Sequence, residues 1–388
     1  MKARTILLVG VSGIILASGI SCTPTSGPSD VRPATAGSST VDIVKRDYLI
    51  DYESARKLRL RINYQTQTYP EEGSGLKQLS VQADAVFVLD GINFLTRLRR
   101  ANGQRTWRLP VAGRLDIIKG INYEPVTERV FLTSTSHILV LDDDTGSMID
   151  KQKLGQIAAT APVVAGSFFI YGSRSGQIVW HSSEVGYQWR GYQVSPTIRV
   201  APLLVDGVIV ATGSDGRVMV LDAASAAGIW NKRLLNEVTA APTTDGGLLY
   251  IAGMDQYLWA IDIANGRTHW KYLAQVPLDS PPAILDGQLY QQIAGSGLHC
   301  FVARPLDAPG GEILWTAPDV AGDVLGIRGH RLFVWDADQR VLNIVDSIRG
   351  GVMTTMTLAD VKHIYMLDAG ELFAASDDGR VIALSPMD

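Results

Sequence analysis

The residues able to do chemistry are few and scattered. Six histidines, His137, His181, His269, His299, His330 and His363, are spread along the chain. No two stand at the spacing that places imidazoles on one strand face or helix face to share a metal ion. Asp142-Asp143-Asp144-Thr145-Gly146 is acidic enough to suggest a calcium loop. It lacks the alternating ligands and the distal bidentate glutamate of such a loop, so a solvated turn is expected. Ser195 and Ser214 have no nucleophile-elbow frame around them. No glycine-rich phosphate loop is present. Cys300 sits among Leu298, Phe301 and Val302 and reads as a small buried hydrophobe. No catalytic, metal-binding or cofactor-binding residue is therefore assigned, and no enzyme is expected.

The second cysteine has a different context. Lys2 and Arg4 precede an apolar run from Ile6 to Ile20. The run is shorter than the roughly 20 residues a stable membrane span needs, so residues 1–21 read as a signal peptide. The run ends in Gly19-Ile20-Ser21-Cys22. A small residue directly before cysteine resembles a bacterial lipobox, with Gly19 where leucine is usual, and marks Cys22 as the lipidation site. Thr23 follows it, which in the lipoproteins it resembles favours the outer membrane. With Cys22 acylated, Cys300 is alone and no disulfide within the chain is possible. Residues 22–50 are rich in Ser, Thr, Pro and Gly without periodicity, as a flexible tether is. Removing residues 1–21 leaves 33 basic against 39 acidic residues, a net charge of −6. No polybasic stretch remains, so nucleic acid is not an expected partner.

The elements that must position any site come from a repeat in residues 51–388. Pro162, Pro202, Pro242 and Pro282 each open a segment forty residues after the last. Asp206-Gly207 forms a turn, Val208 to Thr212 a buried strand, and Val218 to Leu221 its return. Asp222 then opens a turn closed by Gly228, and Trp230 stands in an outer strand. The next copy has Asp262, Gly266 and Trp270, the one after it Gly297 and Trp315, and the one before it Gly176 and Trp189. Weaker copies lie at Val86 to Trp107, Val130 to Gly146, Leu332 to Gly350 and Leu372 to Leu384. A period of forty is that of a propeller, in which each blade is one four-stranded sheet. The fold is all-β, an eight-bladed β-propeller of four-stranded antiparallel blades. The last copy stops before its outer strand. Leu58, Leu60, Ile62 and Tyr64 alternate with polar residues and are the candidate N-terminal strand that closes the ring.

The run Asp262-Ile-Ala-Asn-Gly266-Arg-Thr-His-Trp270 resembles the PQQ-type repeat of quinoprotein propellers. Trp335-Asp336 is out of phase for a WD40 signature. The tryptophans are expected to fill the wedges between blades. The resemblance raises a quinoprotein dehydrogenase as an alternative. Such enzymes carry adjacent cysteines, calcium ligands, a catalytic aspartate and long loops over the propeller mouth; this chain has no adjacent cysteines and little loop excess.

A lipoprotein signal, a tether and eight such blades resemble the BamB-type outer-membrane assembly lipoproteins. The resemblance implies a non-enzymatic, monomeric scaffold without cofactor, anchored by lipid in the outer membrane and facing the periplasm. It also implies an envelope protein partner of the BamA barrel-assembly type. A PQQ-like propeller with an unrelated envelope partner is the other reading. The family docks through a Leu-x-Leu-Arg element before one blade and an Asp-x-Asp element before the next. Counting back four blades gives Glu237-Val238-Thr239, with Glu237 in place of the first acid. One blade earlier lies Thr197-Ile198-Arg199, with Ile198-Arg199 in place of Leu-Arg. Ile198, Arg199 and Glu237 are thus the expected partner-binding residues.

Overall fold

The computed structural model describes residues 48–387, so Cys22, the signal peptide and most of the tether lie outside the described residues. Within them are eight four-stranded antiparallel sheets. Blades 1 to 7 are consecutive meanders over residues 76–110, 118–153, 163–193, 203–233, 243–273, 283–317 and 323–357. Blade 8 joins three C-terminal strands over 363–386 to the strand Leu60–Gln67. The two middle strands of each blade are buried, as in Ala85–Asp90 and Leu248–Ala252. Blades pack face to face, so these strands carry β-branched and aromatic residues on both sides rather than alternating with polar ones.

What joins one blade to the next explains the repeat. The indole N–H of Trp107 donates to the Asp143 carbonyl of the following blade at 2.6 Å. Trp230 donates to Ile263 at 2.7 Å, Trp270 to Ala303 at 2.9 Å, and Trp315 to Ser347 at 2.9 Å. Each ring lies on a glycine of the next blade. A Cβ at Gly146, Gly266 or Gly350 would sit 2.8, 2.9 or 2.5 Å from the indole. These glycines also have φ near +70°. The aspartate four residues earlier caps the same turn: Asp142 accepts from Thr145 N at 2.8 Å and Asp346 from Ile348 N at 2.8 Å. The Asp-x-x-x-Gly-x-x-x-Trp spacing is therefore a socket for the previous blade's indole followed by the indole offered to the next.

Blade 3 departs from this scheme and corrects the sequence reading. Arg190, not Trp189, occupies the tryptophan register, opposite Trp180. Trp189 falls in the bulge that every such strand pair carries at this point, as Ile229 does between Gly228 and Trp230. A bulge adds a residue without a ladder partner and turns its side chain away. Trp189 is accordingly 40% exposed and stacks on Phe168 of its own blade at 4.9 Å. Trp180 fills the wedge instead and donates to the Ala223 carbonyl at 2.8 Å. With no indole arriving from an outer strand, the socket of blade 4 holds Ala226 (φ 56°), and Gly228 begins the outer strand rather than closing the turn.

The ring closes as expected. The strand Leu60–Gln67 pairs antiparallel with Arg380–Pro386, bulged between Ile62 and Tyr64. Tyr64 takes the indole's place: a Cβ on Gly103 of blade 1 would lie 2.2 Å from its ring. Two features differ from expectation. Leu58 ends a short helix, Tyr52–Lys57, capped by Asp51, and the strand starts at Leu60. Leu49 and Ile50, assigned to the tether, are buried with Ala55 and Leu58 against Trp335, Met356 and Leu358 of blade 7 and the loop after it. Six residues are too few to show helical periodicity in a sequence.

Candidate functional site

The antiparallel meander sorts the loops onto two faces. Links from an outer strand to the next blade's inner strand share a face with the turns between the two middle strands. Backbone bonds tie them together: Arg174 N to Ile157 O, Ser214 N to Thr197 O, and Met254 N to Glu237 O. Arg199 and Glu237 lie on this face, in the links before blades 4 and 5.

The structure brings these two together. Arg199 Nη1 stands 3.7 Å from Glu237 Oε2, with the arginine side chain 66% exposed. A pair this exposed contributes about 0–1 kcal/mol. A partner carrying its own charges can therefore replace it at little loss. Ile198 is placed differently. It is 1% exposed and packs with Ile170, Ile178 and Ile209 beneath the loop. A Cβ on Gly172 would meet it at 2.4 Å. Ile198 thus seats the loop that presents Arg199, and its own side chain is not at the surface. A hollow of about 260 Å³ beside Arg199 is lined by Ala159, Arg174, Thr197 and Ile198.

The apolar group exposed here is one the sequence reading missed. Leu235 is 82% exposed, two residues before Glu237 on the same loop. Its backbone is held by Leu235 N donating to Asp255 Oδ2 at 3.2 Å. The signal was present in the repeat. Positions 155, 195, 235 and 275 are Gly, Ser, Leu and Gln, so Leu235 stands where the other copies are small or polar. Positions 158, 198, 238 and 278 are Ala, Ile, Val and Leu, all buried, so Ile198 falls on the core position of the link.

Other chemically capable residues have structural roles. Asp143 is buried, and Arg97 grips both its oxygens at 2.5 Å from the neighbouring blade. The Asp142–Gly146 run is thus a turn and an interblade tie. Cys300 is buried, and burial pushes its thiol up to about 12. Burial lowers the pKa of His181, His299 and His363. They lie in different blades, and among the described residues no three of His, Cys, Asp and Glu group to hold a metal ion. The larger hollow, about 750 Å³, opens among the inner strands of blades 2 to 4 and is lined by Tyr123, Phe131, Phe169, Val164 and Leu204.

Relatives of the chain fall into two groups. Over 334 residues it is 25% identical to outer membrane protein assembly factor BamB of Yersinia pestis, covering 78% of this chain and 82% of that one. It is 29% identical over 161 residues to quinoprotein alcohol dehydrogenase PedH of Pseudomonas putida, covering 37% of this chain and 26% of the dehydrogenase. Among the solved structures that share the fold are BamB from Moraxella catarrhalis and the computationally designed protein Ika8. The first has a TM-score of 0.67 at 20% identity, over 84% of this chain and 97% of that one. The second has a TM-score of 0.64 at 15% identity, over 80% of this chain and 96% of that one. The family described as outer membrane protein assembly factor BamB matches residues 169–388, more than half of the sequence, and the chain belongs to that family.

Proposed function

We propose that this protein is a non-enzymatic scaffold, anchored by lipid at Cys22 in the outer membrane and facing the periplasm. It holds an envelope protein partner during assembly of outer-membrane β-barrel proteins. The observation that carries the reading is likeness over 78% of the chain to a BamB relative, covering 82% of that protein against 26% of the dehydrogenase. The docking surface is the face bearing Arg199 and Glu237, with Leu235 as the apolar group beside them. An exchangeable ion pair next to an exposed leucine suits association, because the leucine supplies burial and the charges supply register.

Co-purification from detergent-solubilised envelopes tests this. The wild-type protein should retain a barrel-assembly partner of the BamA type. Arg199→Glu, at an exposed side chain, should reduce retention about ten-fold or more while leaving the fold intact. Capture of some other envelope protein, or undiminished capture by Arg199→Glu, would count against the reading. The match to PedH favours one rival, an enzyme of the quinoprotein class. That rival requires the purified protein to take up pyrroloquinoline quinone with calcium and to show quinone absorbance.

A further inference from the structure

Three arginines meet where the N-terminal segment joins the ring. Arg59 follows the short helix and precedes the closing strand, and Arg328 and Arg331 flank the Gly329-His330 turn of blade 7. With Gly329, His330 and Met353 they line a recess of about 430 Å³. The recess lies on the face opposite Arg199, because the turn between the first two strands of a blade is at the other end of the meander.

The backbone holds the guanidinium groups in place. Arg328 donates to the carbonyls of Arg59 at 2.9 Å and Met387 at 3.2 Å, and Arg331 to that of Lys57 at 3.1 Å. Those bonds occupy three of about fifteen N–H donors. Arg331 Nε is buried and has no hydrogen-bond partner.

Several arginines on the molecule find carboxylates: Arg97 has Asp143, Arg108 has Asp90, Arg304 has Asp245 and Arg380 has Asp360. Among the described residues, none of the three here does. Asp346 lies across the ladder from Arg331. Its carboxylate instead accepts from Ile348 N and Arg349 N. Glu53 is engaged by Lys57. Burial, together with the charges of Arg59 and Arg328, pushes the Arg331 pKa down. The cluster is a concentration of like charge with donors to spare.

We propose that this recess binds a phosphate oxyanion, presented on the headgroup of an anionic phospholipid or as free phosphate. Guanidinium groups keep their charge and match phosphate oxygens in paired N–H···O bonds. A phosphate also has enough acceptor oxygens to serve several guanidiniums at once, where a carboxylate has two. The site is independent of the docking face, so both can be occupied together.

Calorimetric titration of the purified full chain provides the test. The ligands are inorganic phosphate, dihexanoyl phosphatidylglycerol below its micelle concentration, and dihexanoylglycerol, which has the tails and no phosphate. Saturable binding of the phosphate-bearing ligands is expected. It should weaken about ten-fold or more in Arg59→Gln, whose side chain is exposed, and in Arg331→Gln. Lys151→Gln on the outer strand of blade 2 should leave it unchanged. Tighter binding of the phosphatidylglycerol than of inorganic phosphate identifies the lipid headgroup, and equal binding identifies free phosphate. The proposal is overturned if neither phosphate ligand saturates, if Arg59→Gln binds like wild type, or if dihexanoylglycerol binds as tightly as the phospholipid.

Discussion

At the tryptophan register the junction between blades 5 and 6 is aromatic, whereas that between blades 2 and 3 is polar, beside an apolar core that brings Phe131 to 4.8 Å from Phe169. In the first, Trp270 is 1% exposed, stacks on Phe301 at 6.1 Å and donates to the Ala303 carbonyl. In the second, Asp150 occupies the tryptophan register. The space is filled by Gln152, bonded to His181 Nε2 at 3.0 Å and to the Ser183 carbonyl at 2.8 Å. Both junctions join consecutive blades of the same ring. The wedge therefore demands a filled volume with matched polar atoms, and indole is one way to meet that demand.

The difference can be tested from the largest effect down. Trp270→Ala should destabilise the fold by about 3–5 kcal/mol in urea unfolding, because it leaves a cavity between two blades, although the Ala303 carbonyl keeps the Tyr250 hydroxyl as a donor at 3.1 Å. A loss below about 1 kcal/mol would break the idea that indoles carry the aromatic junctions. Gly266→Ala should cost about 2–3 kcal/mol, since its methyl would enter the ring of Trp230 at a positive φ. Ala226→Gly, at the same place in the blade that receives no outer-strand indole, should change stability by less than about 1 kcal/mol.

The polar junction should respond to acid. Burial depresses the His181 pKa in the folded state, so the unfolded chain binds its proton more readily. The stability carried by the neutral ring is complete above its ordinary value of about 6.5 and is lost as the pH falls below it, towards the depressed folded value. Wild type minus His181→Gln, compared by denaturation at about pH 7.5 and 5.5, should shrink on acidification; a constant difference would mean that the folded and unfolded chains take up the proton alike. The smallest effect is expected for Trp189→Ala, under about 1 kcal/mol, because this tryptophan bridges no blades.

Much of the ring was legible because period and strand alternation both survive in the sequence. Prolines spaced by forty and the Asp262, Gly266, Trp270 spacing carry the blade count, and Leu60 to Tyr64 carries the closure. Errors arose where one residue of phase decides the outcome. Trp189 is one short of Trp230 minus forty, and a bulge turns that single step into an exposed side chain. Gly228 reads as the end of the turn because the turn's own closing position, Ala226, has a methyl where no indole arrives. The residues proposed for docking were half legible. Arg199 is an exposed charge and Glu237 a half-buried one, and their contact at 3.7 Å depends on how two consecutive links converge. Ile198 and Leu235 look alike as hydrophobic residues. Only comparison across copies separates the core position from the exposed one.

Closure of the ring also sets a schedule. Leu60 pairs with Pro386 and Gln67 with Arg380, so the first strand of the propeller waits for the last. A chain emerging N-terminus first carries that strand unpaired through the appearance of seven whole blades. Contacts this remote in sequence form late and slowly. During that interval both edges of the open ring can recruit a foreign strand. The chain is therefore most vulnerable to proteases and to self-association just before its final residues arrive, and truncating the last strand should be more damaging than its length suggests.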